Sequence, residues 1–406
     1  MPSVVRSKQK STLRLLKNNL GLNMFLRAST SALLALTLLS GCSTWSWNPF
    51  SKPDPKTAPA ELQNFSSTMA VKAAWTVNVG GAGEYMFSPV NVGSNVYAAS
   101  ADGTIVKINS LNGQVQWKVR ADTNLTAGIG ASEKLVAVGG QKGMLFAFDA
   151  QGKSLWKVQA SSEILASPVV AGNLVLVHTI DNRVAAYDAM TGVNKWTLER
   201  PLPLLTLRVA TGIAVKEQVA YISTPGGKLI AVALQNGGLR WEVNAAEPKG
   251  ATELERVVDM SGAPVIVNNN VCAVTYQGRV GCFDISNGTN RWNKEISSEV
   301  GISADERFVF AADNQGAVSG YALSGGANVW KNDKLTRRDL SAPTSFGRAV
   351  AVGDRFGFVH FLSREDGVFI ARMPTDGSKI ISTPLVVGNN LIVQTKSGAV
   401  VAFATE

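Results

Sequence analysis

Residues 181–196 read DNRVAAYDAMTGVNKW. The stretch opens on a turn-forming pair, Asp181-Asn182, and runs through an apolar segment. It turns again at Thr191-Gly192 and reaches Trp196 four residues after the glycine. Alternation of apolar and polar residues on either side of the second turn is the period of half-buried β-strands. The phrase recurs along the chain. Beyond Trp45 and Trp47, tryptophans stand at 75, 117, 156, 196, 241, 292 and 330, with gaps of 38 to 51 residues. From Trp117 on, each has a glycine four residues before it: Gly113, Gly152, Gly192, Gly237, Gly288 and Gly326. A near-constant spacing of this length is the mark of a repeat architecture.

Each repeat reads as strand, turn, strand, turn, strand. An earlier turn residue leads into apolar strands such as DGTIVKIN at 102–109 and QGRVGCFD at 277–284. Both turns call for backbone with positive φ, which glycine adopts at low cost. The tryptophan then falls on the outermost strand. There its large area, typically about 150–250 Å² when buried, fills the widening gap to the next repeat. Prolines fix the count. Pro89, Pro168 and Pro264 lie 28 residues before a tryptophan, whereas Pro343 leads by the same interval to Ala371. Counting on from Pro384 runs past Glu406, so the last repeat lacks an outer strand, and the strand around Trp75 lacks inner ones. Joining the two completes the count without leaving open sheet edges. The expected fold is all-β, an eight-bladed β-propeller of four-stranded antiparallel blades. The ring closes by pairing the N-terminal strand with the C-terminal blade.

The N-terminus reads as an address. From Met24, an alternative start, the sequence is MFLRASTSALLALTLLSGC. Its apolar run is far short of the ~20 residues that span a bilayer and has the size of a signal-peptide core. The segment Leu39-Ser40-Gly41-Cys42 resembles a bacterial lipobox, which implies cleavage after residue 41 and a lipid on Cys42. Ser43 after the cysteine implies, by the usual sorting pattern, the periplasmic face of the outer membrane. The expected division is a signal peptide at 1–41, a lipid-anchored tether at 42–65 and the propeller at 66–406. The tether is proline-rich and reads as extended, solvated chain. Trp45 and Trp47 suit either the lipid interface or a plain linker.

Charge excludes one class of partner. The net +9 is concentrated at the N-terminus, where residues 1–41 hold six basic residues and no acid. The 39 basic residues less those six leave 33 against 30 acidic, a balance of +3. No basic stripe remains to track phosphates, so nucleic acid is not an expected partner. Convergent catalytic groups are also missing from the pattern. The two histidines, His178 and His360, fall on strands of different repeats, and no haem or phosphate-loop motif is present. No cofactor or metal site is expected. Cys272 and Cys282 flank a hairpin and would face each other. In a periplasmic protein they suit either a disulfide or two small buried side chains.

Two connections between repeats are unusually long: TLERPLPLLTLRVATG at 197–212, and EVNAAEPKGATELERVVDMSGA at 242–263. They come from adjacent blades and leave the same side of the ring. Long loops on a repeat scaffold commonly carry binding. The first crowds Leu202, Leu204, Leu205 and Leu207 beside Arg208, and the second brings Glu253, Glu255, Arg256 and Asp259. TELERVVD suggests a short helix capped by Thr252. The leucines suit either a desolvated contact centre or packing back onto the ring.

The repeat itself resembles that of the quinoprotein-type propellers, as in DNRVAAYDAMTGVNKW and GRVGCFDISNGTNRW. That group includes quinone-dependent dehydrogenases, the alternative activity, and non-enzymatic relatives. A lipobox followed by eight such repeats is similar to the BamB-like lipoproteins of the outer-membrane β-barrel assembly machinery. The resemblance implies a scaffold without enzymatic activity. Its partners would be the POTRA domains of BamA, other Bam lipoproteins indirectly, and nascent outer-membrane proteins. It also implies BamA contact through a Leu-x-Leu-Arg element, matched here by Leu205, Leu207 and Arg208. A second, Asp-x-Asp element is matched by Asp259 but has Ser261 in its other position.

Overall fold

The computed structural model describes residues 58–207 and 210–405. Among them lie eight four-stranded antiparallel sheets, each a blade. Blades 1 to 7 follow one another at 90–120, 125–159, 169–199, 213–244, 260–296, 302–332 and 344–374. Blade 8 draws on both ends of the described chain. Strands Leu385–Val387, Asn390–Gln394 and Ala399–Thr405 are completed on the outside by Val71–Asn78. Val71 pairs with Thr405 and Asn78 with Ala399, which is the expected closure.

Apolar residues on the two faces of each inner strand feed two different clusters, because every blade is flanked on both sides. Between blades 3 and 4, for example, Leu176, Val184 and Trp196 meet Ala220, Ile222 and Ile230. The tryptophan reaches forward across such a boundary. Trp196 Nε1 donates to the carbonyl of Leu234 in blade 4 at 2.8 Å. Its ring lies on Gly237, where φ is +69° and a Cβ would stand 2.5 Å from the indole. Trp75 meets Gly113, and Trp330 meets Gly367, in the same way. Glycine and tryptophan of one motif therefore serve different boundaries, the glycine receiving the tryptophan of the blade before.

A β-bulge sets the aim of the ring. In blade 3, Ala186 pairs with Trp196 but Tyr187 pairs with Asn194, leaving Lys195 as the extra residue. Such a bulge turns the strand and redirects the next side chain. Blade 7 keeps the bulge although Ala371 replaces the tryptophan: Phe361 pairs with Ala371, Leu362 with Phe369, and Ile370 is extra. The free Ile370 carbonyl accepts the N–H groups of Thr68 and Met69 at 3.0 and 3.1 Å. Met69 is buried and packs with Ile370, Ala371 and Phe361.

Two expectations change here. The last residues assigned to the solvated tether lie against the propeller: Phe65 stacks on Phe369 with ring centroids 5.5 Å apart, and Leu62 packs against the cluster between blades 6 and 7. Apolar side chains and unpaired carbonyls on the blade edge outweigh the extended-chain signal of the prolines. TELERVVD forms turns rather than a helix. The Glu255 carboxylate accepts the Ala251 and Thr252 N–H groups at 2.9 and 3.1 Å, closing one turn that does not propagate. Cys272 and Cys282 are paired in register and joined by a disulfide. The signal peptide, Cys42, Trp45 and Trp47 lie outside the described residues.

Candidate functional site

In an antiparallel blade, the hairpins between second and third strands emerge on the same face as the connections to the next blade. Both long loops therefore share one face, termed here the loop face. The first is laid across three supports. Asn182 Nδ2 donates to the Pro201 carbonyl at 2.8 Å. His178 is buried and contacts Asn182 Oδ1 through Nε2 at 3.1 Å and Thr211 Oγ1 through Nδ1 at 2.8 Å. Burial holds its pKa below the ordinary histidine value, which suits a structural role.

Asp259 is the third support. It is 2% exposed, with one carboxylate oxygen accepting the Gly226 N–H at 2.8 Å and the other the Leu207 N–H. Burial pushes its carboxyl above the usual range, against the pull of those two donors. An acid so placed joins both loops to the Gly226 hairpin and has its carboxylate turned away from solvent. In the free protein Asp259, named from the sequence as a partner-binding residue, braces the loop from beneath. Ser261 is likewise buried, its hydroxyl donating to the Ser298 carbonyl at 2.7 Å. It takes part in joining blade 5 to the connection that follows.

The leucines take the exposed alternative. Leu204 is 91% exposed, and Leu202 and Leu205 are 47% and 46% exposed, while Leu207 is half-buried beside Asp259. Leu254 in the second loop is 73% exposed and Ile180 41%. A groove of about 490 Å³ runs between the loops, with Pro203, Leu205, Arg256 and Val258 in its walls. Clustered apolar side chains on braced backbone can desolvate a partner with little entropy lost on ordering the loop. Arg208 lies outside the described residues. Leu254 and Ile180 were not singled out by the sequence. Leu254 could have been, as an apolar residue between two glutamates.

The central channel opens on the same face. Glu84, Tyr85, Thr126, Glu299, Lys379 and Ile381 line a cavity of about 550 Å³ there. Among the described residues no group of three or more His, Cys, Asp or Glu side chains is placed to hold a metal ion. His360 is buried, with Nε2 3.0 Å from Asp354 Oδ2, and Arg372 Nε donates to its Nδ1 at 3.2 Å. It stands in blade 7, away from His178 in blade 3.

Comparison with known proteins agrees with this architecture. The model of the family described as outer membrane protein assembly factor BamB matches residues 101–332 and 314–406. Outer membrane protein assembly factor BamB of Burkholderia pseudomallei is 42% identical over 377 residues, 93% of this chain and 97% of that protein. The crystal structure of BamB from Moraxella catarrhalis superposes with a TM-score of 0.76 at 24% identity, covering 82% of this chain and all of that one. A quinohemoprotein alcohol dehydrogenase from Comamonas testosteroni reaches a TM-score of 0.65 at 13% identity, covering 82% and 76%, a likeness of fold alone. With its eight closed blades, its braced apolar loops and relatives matched over nearly their full length, the chain belongs to the family of outer membrane protein assembly factor BamB.

Proposed function

We propose that the protein is a non-enzymatic scaffold subunit of the outer-membrane β-barrel assembly machinery and that its loop face docks the POTRA domains of BamA. The observation that carries this reading is the exposure of Leu202, Leu204 and Leu205 on a loop braced from beneath by the buried Asp259. A soluble ring gains nothing in stability from these leucines in water, and an interface core needs such residues. In the sequence Arg208 follows Leu207, and its cation offers an acidic group on a partner a directed contact. Family membership supports the assembly role, and the lipobox supports anchoring through Cys42 on the periplasmic face of the outer membrane. Contact with other Bam lipoproteins then runs through BamA, and nascent outer-membrane proteins pass beside the disc.

The test is co-purification of BamA with the membrane-anchored protein. Leu205→Asp combined with Arg208→Glu should reduce BamA recovery at least tenfold, the loss expected when a buried hot spot is removed. Thermal unfolding should stay unchanged, because Leu205 is half in solvent. Full recovery of BamA would refute this docking surface.

A further inference from the structure

Residues 60–69 form the least expected contact in the molecule. They run along blade 7, whose outer strand is Phe369–Pro374. At one end Thr68 and Met69 are held by the Ile370 carbonyl, and the Arg348 guanidinium donates to the Thr68 carbonyl. In the middle Arg372 donates to the Gln63 carbonyl at 3.1 Å and lies over the Phe65 ring, 5.0 Å from its centroid. At the other end the Ala60 N–H donates to the Thr336 carbonyl at 2.9 Å, and Arg338 donates to the Ala60 carbonyl, also at 2.9 Å.

These arginines are themselves fixed. Arg338 is 5% exposed and pairs with the fully buried Asp354 at 2.7 Å. Asp354 also meets His360, which accepts from Arg372. A buried carboxylate thus organises two guanidinium groups, and each presents a free N–H to the passing backbone. Such a network holds its shape because losing one partner strands a buried charge.

The direction of the segment matters. Thr336 and Arg338 lie in the connection between blades 6 and 7, and Asp354 opens the hairpin after strand Ala349–Gly353. Both belong to the loop face. Val71–Asn78 begins at the opposite face, as every outer strand does. Residues 69 back to 60 therefore cross the whole thickness of blade 7, and the chain upstream of Ala60 leaves from the loop face.

We infer that residues 60–69 are a strap that brings the membrane tether out on the loop face, so that the loops at 201–208 and 252–261 are turned toward the bilayer. The inference rests on lipidation at Cys42 and is independent of BamA docking. Docking the strap leaves 17 residues between Cys42 and Ala60, at most roughly 60 Å of extended chain. Released, the tether would start from the opposite face at Val71.

The full-length lipidated protein in nanodiscs, without BamA, is the sample for the test, with its lipid confirmed by intact mass. One spin label is placed at Gln315→Cys, in the loop-face hairpin of blade 6, and another at Ser324→Cys, in the turn on the far face of the same blade. With a nickel-chelating lipid in the bilayer, the label at 315 should relax at least twofold faster than that at 324. The double variant Leu62→Ser and Phe65→Ser leaves the Arg338–Asp354–His360 network intact and should abolish the difference. In the same variant, hydrogen exchange at the Ala60 and Met69 amides should rise about tenfold or more, with unfolding of the ring unaffected. Equal relaxation at both labels in the parent protein, or unprotected strap amides, would overturn the inference.

Discussion

Blades 3 and 7 share the same four strands and the same bulge, yet they seal their forward boundaries with different parts. Blade 3 sends Trp196 onto Gly237 of blade 4. Blade 7 has Ala371 in the corresponding place and receives Met69 from upstream. The reason lies in the next blade. A tryptophan needs a glycine turn to stack on, and that turn joins the third and fourth strands of the following blade. Blade 8 takes its third strand, Ala399–Thr405, from one end of the ring and its fourth, Val71–Asn78, from the other. No turn connects them, so a tryptophan in blade 7 would have nothing to meet. The missing Gly and the missing Trp are one event, and the strap fills the space they leave.

Three experiments break or sharpen that contrast. The largest effect is expected from Trp196→Ala, which removes an indole 8% exposed together with its hydrogen bond to Leu234. It should cost about 3–5 kcal/mol, read by chemical denaturation. Parity with the parent protein would mean that the rings do not hold the boundaries. Ala371→Trp, which makes blade 7 resemble blade 3, should destabilise rather than stabilise. Overpacking against Met69 is worth about 1–3 kcal/mol, and a gain in stability would show that the seam has room for the ring.

The smallest effect separates the two blades by pH. His360 lies under the strap, and burial holds its pKa below the ordinary value, opposed by Asp354. His178, in blade 3, is lowered by burial too. A histidine that resists protonation in the folded state binds fewer protons there than when unfolded. Stability is therefore full above the unfolded-chain value of roughly 6.5 and falls as pH drops below it. Denaturation midpoints at pH 7.5 and 5.5 should show this loss, and His360→Gln should lessen it without removing the part due to His178. An unchanged pH dependence in that variant would detach His360 from the effect.

The ring was legible because its signals repeat. Six Gly-x-x-x-Trp copies, a proline 28 residues upstream of three of the tryptophans, a lone strand at one end and a repeat short of its outer strand at the other leave little freedom in blade number or closure. The long loops were legible for the same reason, as departures from a regular spacing. What escaped depends on single contacts with no period. Asp259 reads as a surface acid until Leu207 and Gly226 are seen to donate to it. The bulge before each tryptophan moves the register by one residue, and alternation alone does not register that shift. Glycines announce turns in a sequence, but nothing in the motif says that each also accepts the indole of the blade before. Residues 60–69 look like linker by composition. Their docking depends on Arg338, Arg348 and Arg372, which lie far along the chain.

The strap also decides how mechanical load enters the wheel. A tug from the N-terminal side meets the Ala60 and Gln63 carbonyls and the stacked Phe65 before it reaches Val71. These contacts are spread along the strap and reach it from the side, so a pull along the strap loads them together, in shear. The strand that closes the circle would otherwise be peeled from Thr405 one pair at a time. Tension from the N-terminal side is thus diverted into blade 7, and the strand that closes the circle is kept out of the line of force.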